Sequence, residues 1–324
     1  MNADVHPTPA DRVTNWNYEA DVVVAGSGGG LVGAYTAARE GLSVMVVEAT
    51  DEFGGTTAYS GGGGMWFPCN PALQRAGSDD TLDVAFAYFH AAVGDRTPEE
   101  LQRTYVYGGA DLIAYLEQDA HFEFDVLPWP DYYGRLPHAR LDGLRHTVSK
   151  PLPAEHLGEL AQRIRCPLDR ERLGAETPKY LVGGRALIGR LLSAITAYPN
   201  VSLHLNSPLV ELVTWNDGVV GAVVEQDGRR RAIRARAGVL LAAGGFESNP
   251  ALRQHFGVPG DARDTMARRA ISDWHFRQAW PPVRRSISWT RRGGHPGSLI
   301  PMGAQRSRCG SRVGSSSTRT GSGS

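Results

Sequence analysis

The sequence predicts an α/β protein assembled around a parallel sheet, and three stretches carry that prediction. Residues Asp21 to Thr57 read as strand, glycine turn, helix, strand and acid. From Val201 to Ala237, short apolar segments alternate with turn residues, the pattern of a β-meander. Val239 to Ala243 is a continuous apolar run ending in Gly244-Gly245, as expected of a strand buried on both faces.

The first stretch is the most specific. Val22–Ala25 runs into Gly26, Ser27, Gly28, Gly29 and Gly30. An alanine-rich helical pattern follows to Glu40, and Gly41 closes it. Val44–Val47 is the second strand and ends in Glu48. This is a dinucleotide-binding βαβ unit. A pyrophosphate must approach backbone N–H groups at a helix N-terminus, where a Cβ would hold it away. Gly26 and Gly28 allow the turn and that approach. Glu48 follows Gly28 by twenty residues, where a carboxylate accepts from ribose hydroxyls. One departure stands out. The third glycine of the usual pattern should fall at position 31, which is Leu31, with Gly33 two residues later.

A second cluster selects the cofactor. Gly54-Gly55-Thr56-Thr57-Ala58-Tyr59-Ser60 and Gly61–Gly64 come directly after the ribose acid. A nicotinamide domain has no need of them there. FAD lies extended and is contacted along its length by amides and small hydroxyls, so FAD is expected rather than NAD. Thr56, Thr57 and Ser60 are candidate donors to phosphate or ring. Gly61, Gly62 and Gly63 are candidates to pass close under the flat ring system.

Further along, Asp79–Gln118 has a helical pattern. Asp79 or Asp80 is expected to cap a helix through Phe89, and Thr97-Pro98-Glu99-Glu100 marks a second helix start. Leu127–Gly134 reads as a proline-broken aromatic loop, and residues 135–178 as irregular. Gly184–Ala197 reads as an amphipathic helix. Val201–Leu205, Val210–Trp215, Val219–Gln226 and Arg230–Ala237 are expected as a meander, turning at Asn216-Asp217-Gly218 and Asp227-Gly228.

Four segments together resemble one family. ATDEFGGTTAYSGGGGMWFPCNP, FEFDVLPWPDYYGR, YLVGGRALIGRLL and VLLAAGGFESN are similar to the 3-ketosteroid Δ1-dehydrogenases, FAD enzymes of the succinate dehydrogenase/fumarate reductase flavoprotein group. The resemblance runs from about Asp21 to Met266. It implies a Rossmann-like two-dinucleotide-binding-domain flavoprotein with a β-meander and an incomplete α+β substrate domain. It also implies cofactor contacts from the turn residues above, from Glu48 and Ala49, from Gly55, from Val210 beside the adenine, and from Ala243 and Gly244. The implied reaction removes hydrogens across C1–C2 of a 3-ketosteroid A ring, taking a hydride from C1 and a proton from C2. By the same resemblance Tyr132 supports the base tyrosine and Trp129 packs on the steroid. Tyr133 is the alternative if the register is off by one. The family's base tyrosine and the tyrosine and glycine that hold the C3 carbonyl have no counterpart here; the last tyrosine in the chain is Tyr198.

The remaining sequence bounds the function. Net charge is zero, but eleven arginines and one acid, Asp273, follow Met266. Beyond Met266 the family pattern stops. Read one base out of frame with G/C-rich codons, Ala270–Trp280 yields Asn-Leu-Gly-Leu-Ala-Phe-Gln-Ala-Gly-Met, which resembles the family's continuation. A one-base loss near Ala267–Arg269 is therefore expected, and the arginines are not taken as a nucleic-acid-binding arm. Cys69, Cys166 and Cys309 are odd in number and widely spaced, which suits a reducing compartment and no disulfide framework. Cys69 is read as a core thiol. The ten histidines show no metal-ligand spacing. No apolar run reaches membrane-spanning length, and a cytoplasmic protein is expected.

The expected organisation is a flexible lead-in (1–17), a first FAD-binding part (18–120), an irregular substrate-facing segment (121–178), a second FAD-binding part (179–266) and an aberrant tail (267–324). The expected partners are a 3-ketosteroid and an unknown electron acceptor. The rival readings are another FAD-dependent steroid or fumarate-type reductase, and a non-catalytic FAD-binding fragment.

Overall fold

A seven-stranded mixed sheet organises the chain, seen in a computed structural model that describes residues 7–174, 176 and 179–265. The expected frame-shifted tail lies outside the described residues. In chain order the elements are β1 (Thr8–Pro9), β2 (Tyr18–Ala25), α1 (Gly30–Arg39), β3 (Val44–Val47), α2 (Gly55–Tyr59), β4 (Met65–Trp66), α3 (Pro71–Arg75), α4 (Leu82–Val93) and α5 (Glu99–Leu116). Then come β5 (Phe124–Val126), β6 (His146–Ser149), β7 (Leu152–Pro153), α6 (Leu168–Leu173), β8 (Tyr180–Leu181) and α7 (Gly183–Thr196). The described part closes with β9 (Val201–His204), β10 (Leu209–Trp215), β11 (Gly218–Gln226), β12 (Arg229–Leu241) and α8 (Pro250–His255).

The sheet order is β1-β10-β11-β12-β2-β3-β9. Strands β12, β2, β3 and β9 run parallel, while β10, β11 and β12 alternate antiparallel. Alternation sorts the side chains of β2 and β3 onto two faces. Val22, Val24, Val44 and Val46 pack with Leu31, Tyr35, Ile188 and Leu192 of α1 and α7. Val23, Ala25, Met45 and Val47 pack with Leu212, Val224 and Ile233 of the meander. Each face of the parallel sheet is thus covered, as its near-continuous apolar strands require.

Several expectations change. The meander has three strands, β10 to β12, because Val201–His204 pairs in parallel with β3 at the opposite edge of the sheet. The last meander strand and the return strand are one strand, β12. It pairs with β11 through Gln226↔Arg229 to Gly221↔Arg234, and with β2 through Ile233↔Tyr18 to Leu241↔Ala25. A register shift between Ala235 and Gly238 lets one strand serve both. The segment read as a flexible lead-in is tied down from Thr8 on. Pro9 aligns with Thr214, Asn17 donates to the Ala232 carbonyl, and the Trp16 ring fills the space above Gly221. Residues 135–178, read as irregular, include β6, β7 and α6. Thr81 caps α4 through its side chain, displacing Asp79 and Asp80, which turn to arginines instead. The expected turns are present: Asn216, Asp227 and Gly228 all adopt positive φ.

Candidate functional site: a glycine cradle and an aromatic loop

The cradle is built where the N-termini of α1, α2 and α7 approach the carboxyl ends of β2 and β3. Gly26, at φ 103°, turns the chain out of β2; a Cβ there would stand 2.4 Å from the Ala242 carbonyl oxygen, so only glycine fits. That contact brings Ala243 and Gly244, at the end of the return strand, beside the turn. The close-packing role expected near position 31 is filled by Gly30, whose Cβ would lie 2.8 Å from Val24. Leu31 is fully buried and contributes to the core instead. Gly28 lies against Thr57, while Gly29, Gly55 and Gly61 border open space. Neither α1 nor α2 carries a side-chain cap.

Other predicted contacts divide. Thr56, Ser60, Ala49, Gly61 and Gly62 are exposed along the cradle, and Ser60 accepts from the Gly63 amide at 3.1 Å. Gly63 is buried. Its α-carbon faces the Gly183–Gly184 backbone, so packing against α7 requires the missing side chain there. Val210 stands at a register shift in β10, grouped with Val13, Trp16 and Val213.

Both donors of Ser27 point at one oxygen, Glu48 Oε2: the amide at 3.1 Å and Oγ at 2.6 Å. Ser27 Oγ in turn accepts from the Gly54 amide at 2.9 Å. Ser27 is therefore committed to the carboxylate rather than to a phosphate. Glu48 Oε1 accepts from the Thr50 amide at 3.2 Å and Oγ1 at 3.0 Å. The Glu48 main chain is held on both sides, by the His204 carbonyl and the Ser207 amide.

The aromatic loop has a different construction. Trp129 is 50% exposed, Tyr132 78% and Tyr133 62%. Between them Asp131 is buried. One of its oxygens accepts from Trp66 Nε1 at 2.8 Å, and the other from Arg145 at 2.7 Å and the Arg140 amide at 2.8 Å. Arg145 is 1% exposed and also grips Asp80, through Nε at 2.6 Å and a second nitrogen at 3.0 Å. Its guanidinium lies 5.3 Å from the Tyr88 ring centroid. Beneath the loop, His146 Nδ1 meets the Trp129 carbonyl at 2.9 Å, and the Tyr132 ring stands edge-on to His146 at 6.2 Å. Burial pushes the His146 imidazole below its usual pKa, against the opposing pull of that carbonyl and of Asp131. Asp80 has a sequence signal only as a helix cap, and Asp131, Arg145 and His146 carry none of their own. Their partners lie up to 65 residues away, and nothing local marks the pairing.

Among the described residues no cluster of His, Cys, Asp or Glu could hold a metal, and no helix is long and apolar enough to cross a membrane. Cys69 is half-buried, and burial raises its thiol pKa to about 11, which suits an inert thiol.

The fold and cradle are those of a flavoprotein, and the family match agrees. The chain belongs to the FAD binding domain family, whose model matches residues 21–272. It is 38% identical over 251 residues to a 3-oxosteroid 1-dehydrogenase of Rhodococcus opacus, covering 76% of this chain and 48% of that one. It thus spans about half the length of the curated relatives it matches. A 3-ketosteroid delta1-dehydrogenase from Sterolibacterium denitrificans, solved with 1,4-androstadiene-3,17-dione, superposes with a TM-score of 0.71 at 28% identity, over 81% of this chain and 54% of that one. A 3-ketosteroid-delta4-(5alpha)-dehydrogenase from Rhodococcus jostii RHA1, solved with 4-androstene-3,17-dione, gives 0.62 at 28%, over 79% and 53%. The cofactor is FAD. The residues present fit it: Gly29 and Gly55, at the uncapped starts of α1 and α2, and Gly61 beyond α2 leave the backbone open to close approach.

Proposed function

We propose that this chain carries the FAD-binding part and the substrate-facing loop of a dehydrogenase that places a C1–C2 double bond in the A ring of 3-ketosteroids. The observation that carries this reading is the aromatic loop. A flat, apolar substrate needs exposed aromatic faces held still, and Trp129, Tyr132 and Tyr133 are exposed side chains on a buried ionic anchor. The likeness to 3-oxosteroid 1-dehydrogenases over 76% of the chain supports the substrate class.

In this reading the first-turn amides of α1 and α2 hold the pyrophosphate, and Glu48 accepts from the adenosine ribose. FAD supplies a hydride acceptor for C1 when bound. Trp129 packs on the steroid. Tyr132 donates its phenol proton to the tyrosine that removes the C2 proton, lowering the cost of that tyrosine's ionised form. This base has no counterpart in the chain. We therefore propose that the chain alone binds FAD and steroid and does not turn over.

The test is direct. The purified chain is titrated with FAD, then with 4-androstene-3,17-dione while Trp fluorescence is followed, and is assayed for steroid-dependent dye reduction. FAD binding, a steroid-induced change abolished in Trp129→Ala, and no dye reduction are expected. Failure of the steroid to perturb Trp129 would remove the substrate assignment. Dye reduction would remove the missing-base assignment. The likeness to a delta4-(5alpha)-dehydrogenase at the same 28% identity favours a second reading, in which the new double bond falls elsewhere in the same ring. NMR of the product made by an enzyme that continues in the family pattern beyond residue 266 separates the two.

A further inference from the structure

Two hydroxyls touch Glu48, and the chemistry of their neighbours assigns each proton. A hydroxyl has one proton to donate and two lone pairs. The Gly54 amide only donates, so at Ser27 it occupies a lone pair, 2.9 Å from Oγ. The Ser27 proton then has Glu48 Oε2, at 2.6 Å, as its acceptor. Thr50 differs. Arg165 donates to its Oγ1 at 2.9 Å, and its proton has two acceptors at equal reach: Glu48 Oε1 and the Glu52 carbonyl oxygen, each 3.0 Å away. Ser27 is a fixed donor and Thr50 a two-position donor.

We propose that Ser27 and Thr50 are positioning residues for Glu48 as acceptor of the ribose diol of FAD, with Ser27 the clamp and Thr50 the group that yields. A ribose hydroxyl arriving at Oε1 displaces the Thr50 proton, which turns to the Glu52 carbonyl. The count of hydrogen bonds on the protein side is unchanged. Ser27 keeps Oε2 in place meanwhile and ties it, through Gly54, to the start of α2. The carboxylate is thus preorganised by one neighbour and uncovered by the other. The proposal rests on Glu48 meeting the ribose.

The test uses the full chain, titrated with FAD and with an FAD analogue whose adenosine lacks both ribose hydroxyls, followed by flavin fluorescence. Glu48→Gln tests the underlying reading and is expected to weaken FAD but not the analogue. Ser27→Ala is expected to weaken FAD roughly tenfold, the value of one hydrogen bond to a charged group, and the analogue less than about twofold. Thr50→Val, which removes the competing donor, is expected to leave FAD affinity within about twofold or improve it. If Glu48→Gln leaves FAD affinity intact, the ribose reading fails and the proposal with it. If Glu48→Gln weakens FAD while Ser27→Ala leaves it intact, or weakens both cofactors equally, the positioning role alone is overturned. A roughly tenfold loss in Thr50→Val overturns the yielding role. Should Ser27→Ala not fold, Ser27→Cys, a weak donor, gives the same contrast.

Discussion

The cradle and the aromatic loop solve opposite problems with opposite materials. The cradle is made of backbone: glycine α-carbons, first-turn amides and one buried carboxylate. Its precision comes from atoms brought too close for any side chain. The loop is made of side chains, with exposed rings at Trp129, Tyr132 and Tyr133 and a buried salt-bridge triad of Asp131, Arg145 and Asp80 beneath them. The cradle therefore tolerates no added atom where backbones meet, at Gly26, Gly63 and Gly184, whereas the loop tolerates changes at its tip and none at its root.

That contrast can be broken by adding one carbon. A Cβ on Gly184 would lie 1.8 Å from the Thr57 carbonyl oxygen. Gly184→Ala must separate α7 from α2, at a cost of about 4 kcal/mol or more. Thermal melts and FAD titration should both collapse. A stable, FAD-binding Gly184→Ala would mean that the cradle is soft.

Next in size is the root of the loop. Arg145→Met leaves the Asp80 and Asp131 carboxylates buried without their shared cation, at a cost of about 3 kcal/mol. A lowered Tm and a blue-to-red shift in Trp emission are expected, with FAD affinity retained wherever the chain is folded. Equal losses of FAD binding and loop order would show that the two regions are one unit.

Acid should act on the same root more gently. His146 has its folded pKa depressed by burial, so the unfolded chain binds the extra proton. The stability this group contributes is present above its unfolded value of 6.5, and falls as pH drops through 6.5 toward the folded value. Asp21, hydrogen-bonded by Arg236 and Ser43, is held far below the usual carboxylate range. Its contribution is full above its unfolded value of 3.8 and is lost below it. His204, also depressed by burial, loses stability over the same upper range. Stability measured against pH should thus fall first through the histidine range and then through the carboxylate range, and His146→Gln should shrink the upper fall without abolishing it.

The smallest effect belongs to the tip. Tyr132→Phe, at a site 78% exposed, should move stability by no more than about 0.5 kcal/mol. A larger shift in Tm would show that the ring packs as core.

How legible these regions were in the sequence follows from what builds them. The βαβ unit is written in consecutive residues, because strand, turn, helix and acid interact with near neighbours. Val22–Ala25, Gly26–Gly30 and Val44–Glu48 could be read directly, down to Gly41 at the helix end. The aromatic tip was legible as residue types. Its anchor was not, since Asp131 and Arg145 are ordinary charges until Asp80 is brought across from the start of α4. The same limit explains β9. An apolar run after a helix and before a meander fits either edge of the sheet, and only pairing with Val44–Val47 decides between them. Ser27 was legible as a turn residue but not as a donor to Glu48, because its direction depends on a carboxylate 21 positions away.

Strand β12 has a consequence for how the chain comes into being. It is the partner that β2 requires on one side, and it is finished only when Leu241 has been made. The ribosome releases β2 long before β12. At roughly 5–20 residues per second, the wait is on the order of 10–40 s. Throughout that interval Val22, Val23 and Val24 belong to a nascent strand whose long edge is open. That edge of the sheet therefore cannot be completed until β12 has been made.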